Sequence, residues 1–161
     1  MLEALAYIHK HKVVHRDLKP ENLILASKDN DYDLRIADFG LASFLKQDEL
    51  LKLRCGSPGY VAPEILEDTG YNESSDIFSA GVILYVLLTG RQVFRGYNLN
   101  EILLKNKNCD VEYPAKYWQK ISDKAKDLVS KMLTKDPAKR ITTEEALAHS
   151  WFTQDETEIN D

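Results

Sequence analysis

The run Ala80 to Leu88, AGVILYVLL, carries neither charge nor proline. Such a segment has no polar face to offer water, so it is stable only when other elements surround it. Ser74 or Ser75 is placed to cap a helix that reaches about Thr89, and Gly90 supplies its stop. The apolar run is far shorter than the roughly 20 residues of a membrane span. The expectation is a helical core built around one central post, with no membrane partner.

The 161 residues, 43% hydrophobic and 29% charged, suffice for one such core without disulfides or metals. Cys55 and Cys109 are too few for a disulfide framework and lack metal-ligand spacing, which points to a reducing compartment and a cytoplasmic location. The net charge of -5 argues against nucleic acid as a partner and suits a basic peptide or protein. Leu2, Leu5, Ala6 and Ile8 fall on one helical face with no cap before them, as in a helix cut through its middle. Short strands are expected at Val13-Val14, Leu23 to Ala26 and Leu34 to Ala37, the last two as a hairpin. A short helix around Leu99 to Leu104 follows the post. Ser122 caps another that carries Ala125, Leu128, Val129, Met132 and Leu133, and Thr142-x-x-Glu145 opens the last as a capping box. The fold class is thus mainly α with a small β-hairpin. Residues 1–152 form one domain, and 153–161 a polar tail.

Three motifs lie in order along this chain: HRDLKPEN at His15 to Asn22, DFG at Asp38 to Gly40, and APE at Ala62 to Glu64. Together with CGSPGYVAPE and DPAKRITTEEALAHSWF, they make the chain similar to eukaryotic protein serine/threonine kinases. It most resembles the C-terminal lobe of calcium/calmodulin-dependent and calcium-dependent kinases. The spacing also has a physical logic. Pairing Leu23 to Ala26 with Leu34 to Ala37 brings the loops carrying Asp17 and Asp38 to the same end of one ribbon.

The resemblance implies ATP and magnesium as cofactors. Asp17 would accept or orient the proton of the substrate hydroxyl, Lys19 would neutralise the transferring phosphoryl group, and Asn22 and Asp38 would hold the metal. Ser57 would bond Asp17 and Lys19, and with Lys19 it implies serine/threonine specificity. Ile24 would floor the adenine site, and Glu21 would meet a basic residue of a protein or peptide substrate. His15 and Phe39 resemble members of a stacked apolar spine, Asp76 an anchor of the catalytic loop, and Glu64 with Arg140 a buried ion pair. Arg16 would meet a phosphate or an acidic group of the activation segment. There Ser43 is the only hydroxyl between Leu41 and Arg54, and Asp48 and Glu49 stand as possible acidic substitutes.

Asp29-x-Asp31-x-Asp33 opens like a calcium loop, but Leu34 replaces the glycine and Gly40 the glutamate that such a loop requires, so it reads as the hairpin turn. The seven glycines, at 40, 56, 59, 70, 81, 90 and 96, do not spell G-x-G-x-x-G. The N-terminal lobe is therefore expected to be absent and to be the missing partner of these residues. The expected function is that of a kinase fragment whose parent transfers phosphate to serine or threonine, itself nearly inactive. The alternative is a naturally short, non-catalytic binding module.

Overall fold

The computed structural model describes residues 1–30 and 32–153. Residues 154–161 of the expected tail, and Asp31 of the calcium-like pattern, lie outside the described residues. The chain runs α1 (Leu2–Lys10), β1 (Val13–Val14), β2 (Leu23–Leu25), β3 (Leu34–Ile36), β4 (Ser43–Phe44), α2 (Pro63–Glu67), α3 (Ser74–Thr89), α4 (Leu99–Asn108), α5 (Ala115–Trp118), α6 (Asp123–Met132) and α7 (Thr143–Leu147). This is the expected mainly helical fold with a small hairpin.

The central post is α3, and its all-round apolar surface has a definite cause. Phe78, Val82 and Tyr85 face one hydrophobic cluster with Val61, Ile65, Tyr71 and Trp118. Ile77, Ala80 and Ile83 face a second cluster with Leu2, Leu5, Leu18, Leu128 and Met132. The helix thus lies between two half-cores over most of its length, and near its C-terminal end Leu87 is 71% exposed. Each Leu, Ile or Val so buried contributes about 1.5–3 kcal/mol. Gly81 lets α6 approach: a Cβ there would lie 2.8 Å from the Met132 Cβ.

The helix start differs from the expected serine cap. Neither Ser74 nor Ser75 caps it; instead Asn72 Oδ1 accepts the Ser74 N–H at 3.0 Å, and Ser75 Oγ donates back to the Asn72 carbonyl at 2.8 Å. An asparagine two residues earlier satisfies the same orphan donor, so the serines are free to lie inside the first turn. The stop is Gly90, in the left-handed region at φ 65°, with its N–H on the Val86 carbonyl. Ser122 Oγ accepts the Ala125 N–H, and the Thr142 and Glu145 side chains form the reciprocal capping box. Among the described residues, no helix is long and apolar enough to cross a membrane.

The hairpin pairs Leu23 with Ile36, Ile24 with Arg35 and Leu25 with Leu34. A second two-stranded ribbon joins β1 to β4, pairing Val13 with Phe44 and Val14 with Ser43. The two ribbons grip the loop that lies between β1 and β2.

Candidate active site

The loop from His15 to Asn22 is held from beneath by Asp76, a fully buried carboxylate of α3. Its Oδ2 accepts the His15 N–H at 2.8 Å and lies 2.9 Å from His9 Nε2, while its Oδ1 accepts the Arg16 N–H at 2.9 Å. A buried carboxylate requires such donors, and here they are mostly loop backbone. Arg16 pays in conformation for that geometry, with φ at 73°.

Asp17, Lys19 and Ser57 close a triangle above this anchor. Ser57 Oγ donates to Asp17 Oδ1 at 2.7 Å, Lys19 Nζ donates to Ser57 Oγ at 3.0 Å, and Lys19 Nζ lies 3.0 Å from Asp17 Oδ2. Burial alone would raise the Asp17 carboxyl, but the Ser57 and Lys19 hydrogen bonds and the Lys19 charge outweigh it and hold it below the usual carboxylate range. The Asp17 hydrogen bond, opposed by partial desolvation and aided by the charges of Asp17, Glu21 and Asp38, raises Lys19 above the ordinary amine range. Both partners stay charged across neutral pH. The result is an ionised acceptor beside a fixed cation and a hydroxyl.

Asn22 Nδ2 donates to the Asp17 carbonyl at 2.8 Å, which fixes the amide plane. The Asn22 carbonyl accepts the Ala37 N–H at 2.8 Å, so the hairpin ladder delivers Asp38, the next residue, to the same end as Asp17. Asp38 is left-handed at φ 58°, and its carboxylate accepts the Gly40 N–H at 3.2 Å. A Cβ at residue 40 would press on that carboxylate oxygen at 3.0 Å. The Asn22 amide oxygen and the Asp38 carboxylate are hard donors suited to magnesium. Among the described residues, no three His, Cys, Asp or Glu side chains gather as a metal cage. A magnesium ion held by this pair would draw its other ligands from phosphate and water, the mode this ion favours. The residues therefore fit the metal.

Around this centre, the His15 and Phe39 rings meet edge to face with centroids 5.0 Å apart, and His15 Nε2 bonds the Ala37 carbonyl at 2.9 Å. Ile24 on β2 and Glu21 before it are both exposed. Arg140 grips Glu64 through two bonds of 2.6 and 2.9 Å, also donates to the carbonyls of Ser74, Thr134 and Lys135, and lies over the Phe78 ring. Every donor on that buried guanidinium has work, which stabilises the pair against its desolvation cost.

Among the described residues, the Arg16 side chain meets two neutral oxygens, the Leu41 carbonyl and, at 3.5 Å, the Tyr71 hydroxyl, and no acidic side chain. Glu49 pairs with Lys46 at 3.8 Å instead. Tyr71 in turn donates to the Leu53 carbonyl at 2.7 Å, and burial pushes its hydroxyl up to about 12. Tyr71 and the isolated Leu51–Tyr71 bridge also tie down this segment.

Sequence reasoning missed three participants. Tyr71 and His9 are two, and both sit in segments whose apolar or basic pattern had a simpler reading. The third is Asn106, fully buried on α4, whose Oδ1 accepts the Gly59 N–H at 3.1 Å while its Nδ2 donates to the Val61 carbonyl at 2.8 Å. An asparagine in a helix that otherwise reads as amphipathic and charged gave no signal of burial.

The profile of the protein kinase domain matches residues 1–152. The chain is 44% identical over 152 residues to myosin light chain kinase A of Dictyostelium discoideum, a match that covers 94% of this chain and 52% of that protein. It is 44% identical over 154 residues to human calcium/calmodulin-dependent protein kinase type IV, covering 95% of this chain and 33% of the relative. It is also 47% identical over 152 residues to a probable serine/threonine-protein kinase 2 of Plasmodium falciparum, covering 94% and 30% respectively. The chain thus spans between about a third and a half of the length of these relatives. It belongs to the protein kinase family, and its fold is that of the family's C-terminal lobe.

Proposed function

We propose that residues 1–152 are the substrate-side lobe of a serine/threonine kinase that transfers the terminal phosphate of Mg-ATP to protein hydroxyls, with 153–161 as a tail. The closed triangle of Asp17, Lys19 and Ser57 carries this reading. A substrate hydroxyl replacing Ser57 Oγ at Asp17 Oδ1 would donate its proton to an ionised carboxylate, beside a cation able to follow the phosphoryl oxygens. Asn22 and Asp38 would hold the metal, which supplies neutralisation of phosphate charge when bound. His15 and Phe39 keep the two loops in contact, Asp76 fixes the catalytic loop, and Glu64 with Arg140 ties the substrate platform to the core. Ile24 would face adenine, and Glu21 would attract a basic substrate residue.

Cytoplasmic residence belongs to the same reading, supported by the free thiols of Cys55 and Cys109. The 161 residues contain no G-x-G-x-x-G, so on their own they are expected to transfer phosphate negligibly. The decisive assay uses the natural gene product with Mg-ATP and matched serine, threonine and tyrosine peptides. Labelling of serine or threonine, lost by about 100-fold or more on Asp17→Asn, is the expected result. Activity unaffected by Asp17→Asn, or confined to tyrosine, would overturn the proposal.

A further inference from the structure

Helix α4 is anchored by a polar side chain. Among the described residues, its single buried member is Asn106, which is fully buried, whereas α6 is anchored by Leu128, Val129 and Met132. A buried primary amide without partners would destabilise the fold, so its presence demands a donor and an acceptor of matching geometry. One short stretch of backbone supplies both. Asn106 Oδ1 accepts the Gly59 N–H at 3.1 Å, and Asn106 Nδ2 donates to the Val61 carbonyl at 2.8 Å. A single planar group thus clamps two backbone groups that lie two residues apart.

The clamped stretch is the loop that carries Ser57. The Ser57 carbonyl accepts the N–H groups of Tyr60 and Val61 at 3.0 and 3.1 Å, and Ser79 Oγ on α3 donates to the Tyr60 carbonyl at 2.8 Å. Gly59 permits this tight path, with φ at 85°, and Pro58 brings no N–H that needs a partner. The loop is therefore held from α3 on one side and from α4 on the other. At its start, Ser57 Oγ donates to Asp17 Oδ1 at 2.7 Å and accepts from Lys19 Nζ at 3.0 Å. Continuous hydrogen bonding thus connects the Asn106 amide, through two backbone turns, to that hydroxyl.

We propose that Asn106 is a positioning residue for the phosphate transfer: by clamping Gly59 and Val61 it holds Ser57 Oγ between Asp17 and Lys19. Helix α4, which gives no side chain to that triangle, would then set its geometry. The inference rests on the kinase reading above, in which the substrate hydroxyl takes the place of Ser57 Oγ at Asp17. For docking the helix alone, an apolar side chain would serve and would spare the desolvation of an amide. What the amide adds is direction. Apolar contact tolerates sliding, whereas a donor and an acceptor in one plane fix the register of the loop they meet. A substrate hydroxyl displacing Ser57 then finds the neighbouring carboxylate and ammonium already spaced, which is the condition for rapid transfer.

The first measurement needs no catalysis. In the 161-residue chain, Asn106→Leu fills much the same space and removes both bonds. The Gly59 amide should exchange its proton about tenfold faster, as expected for one lost hydrogen bond. The nuclear Overhauser contact between Ser57 Hβ and Lys19 Hε should disappear while the variant is still folded. Ile102→Val, which trims the packing of the same helix and keeps both bonds, should leave that contact intact. Asn106→Ala provides a second variant should the leucine prove too large. The second measurement uses the natural gene product with Mg-ATP and a serine peptide. There Asn106→Leu should lower kcat about tenfold or more with the KM for ATP unchanged, and its loss should not add to that of Ser57→Ala. A folded variant that keeps the Ser57–Lys19 contact would overturn the proposal, and so would additive kinetic losses. Absence of transfer by the wild-type product would instead sink the kinase reading, while the loop measurements still decide whether Asn106 positions Ser57.

Discussion

Ser57 stands between a carboxylate and an ammonium that would otherwise meet alone. Its hydroxyl is the leading influence pulling the Asp17 carboxyl down, against burial that pushes it up. In the wild-type chain the stability linked to Asp17 ionisation is present above the unfolded value near 3.8 and is lost as pH falls through the lower folded value. Ser57→Ala removes one of the depressing contacts, so the folded value rises and the acid loss of stability moves to higher pH. Carboxyl carbon NMR titration of Asp17 in both proteins checks this, and an unchanged midpoint would contradict it. Lys19 carries the opposite sign: its raised value leaves its contribution intact below about 10.5, to be lost only as pH rises through the folded value. At this scale most of the site was legible, because Asp17, Lys19, Asn22 and Asp38 sit in a contiguous string and in a tripeptide. Arg16 was legible by position but not by partner, since its acceptors are a backbone carbonyl and a tyrosine 55 positions away.

Elements in this fold are joined through single close approaches. Gly81 on α3 admits the side chains of Met132 and Leu133, and a Cβ there would lie 2.8 and 3.1 Å from their nearest atoms. Gly81→Ala should therefore cost about 1–3 kcal/mol despite its better helix propensity, read as a lower urea midpoint. A stabilised variant would show that α6 can recede. On α2, Arg140→Ala strands a Glu64 carboxylate that is 3% exposed. A loss of about 3–5 kcal/mol is expected, seen as a melting temperature lower by roughly 10 °C. Replacing both partners, Glu64→Leu with Arg140→Met, should recover part of it. The long helices were legible because α3 and α6 have pronounced patterns and definite stops. By contrast β4, α2 and α5 span two, five and four residues, too few for any period to show, and their existence depends on partners. The pairing of β4 with β1 brings together residues about 30 positions apart, which no local pattern encodes.

Several large apolar side chains of the molecule stay at its surface, among them a group near the two ribbons. Phe44 is 74% exposed, Ile24 53%, Leu25 49% and Phe39 45%, all on the two ribbons and the turn that follows β3. Large apolar side chains left in water favour association. The 161-residue chain is expected to bind an environment-sensitive dye and to self-associate as concentration rises, as measured by sedimentation velocity. Ile24→Glu with Phe44→Glu should suppress both, and an unaltered monomer at every concentration would contradict the expectation. Asp76 gives the architecture a final consequence. The same carboxylate that terminates His9 and pins the backbone of His15 and Arg16 belongs to the helix around which both half-cores assemble. A chain in which that helix has not docked cannot shape the loop that carries Asp17. The shape of that loop therefore reports on the core: a probe that finds the His15 and Arg16 backbone in place also finds the helix docked between its two half-cores.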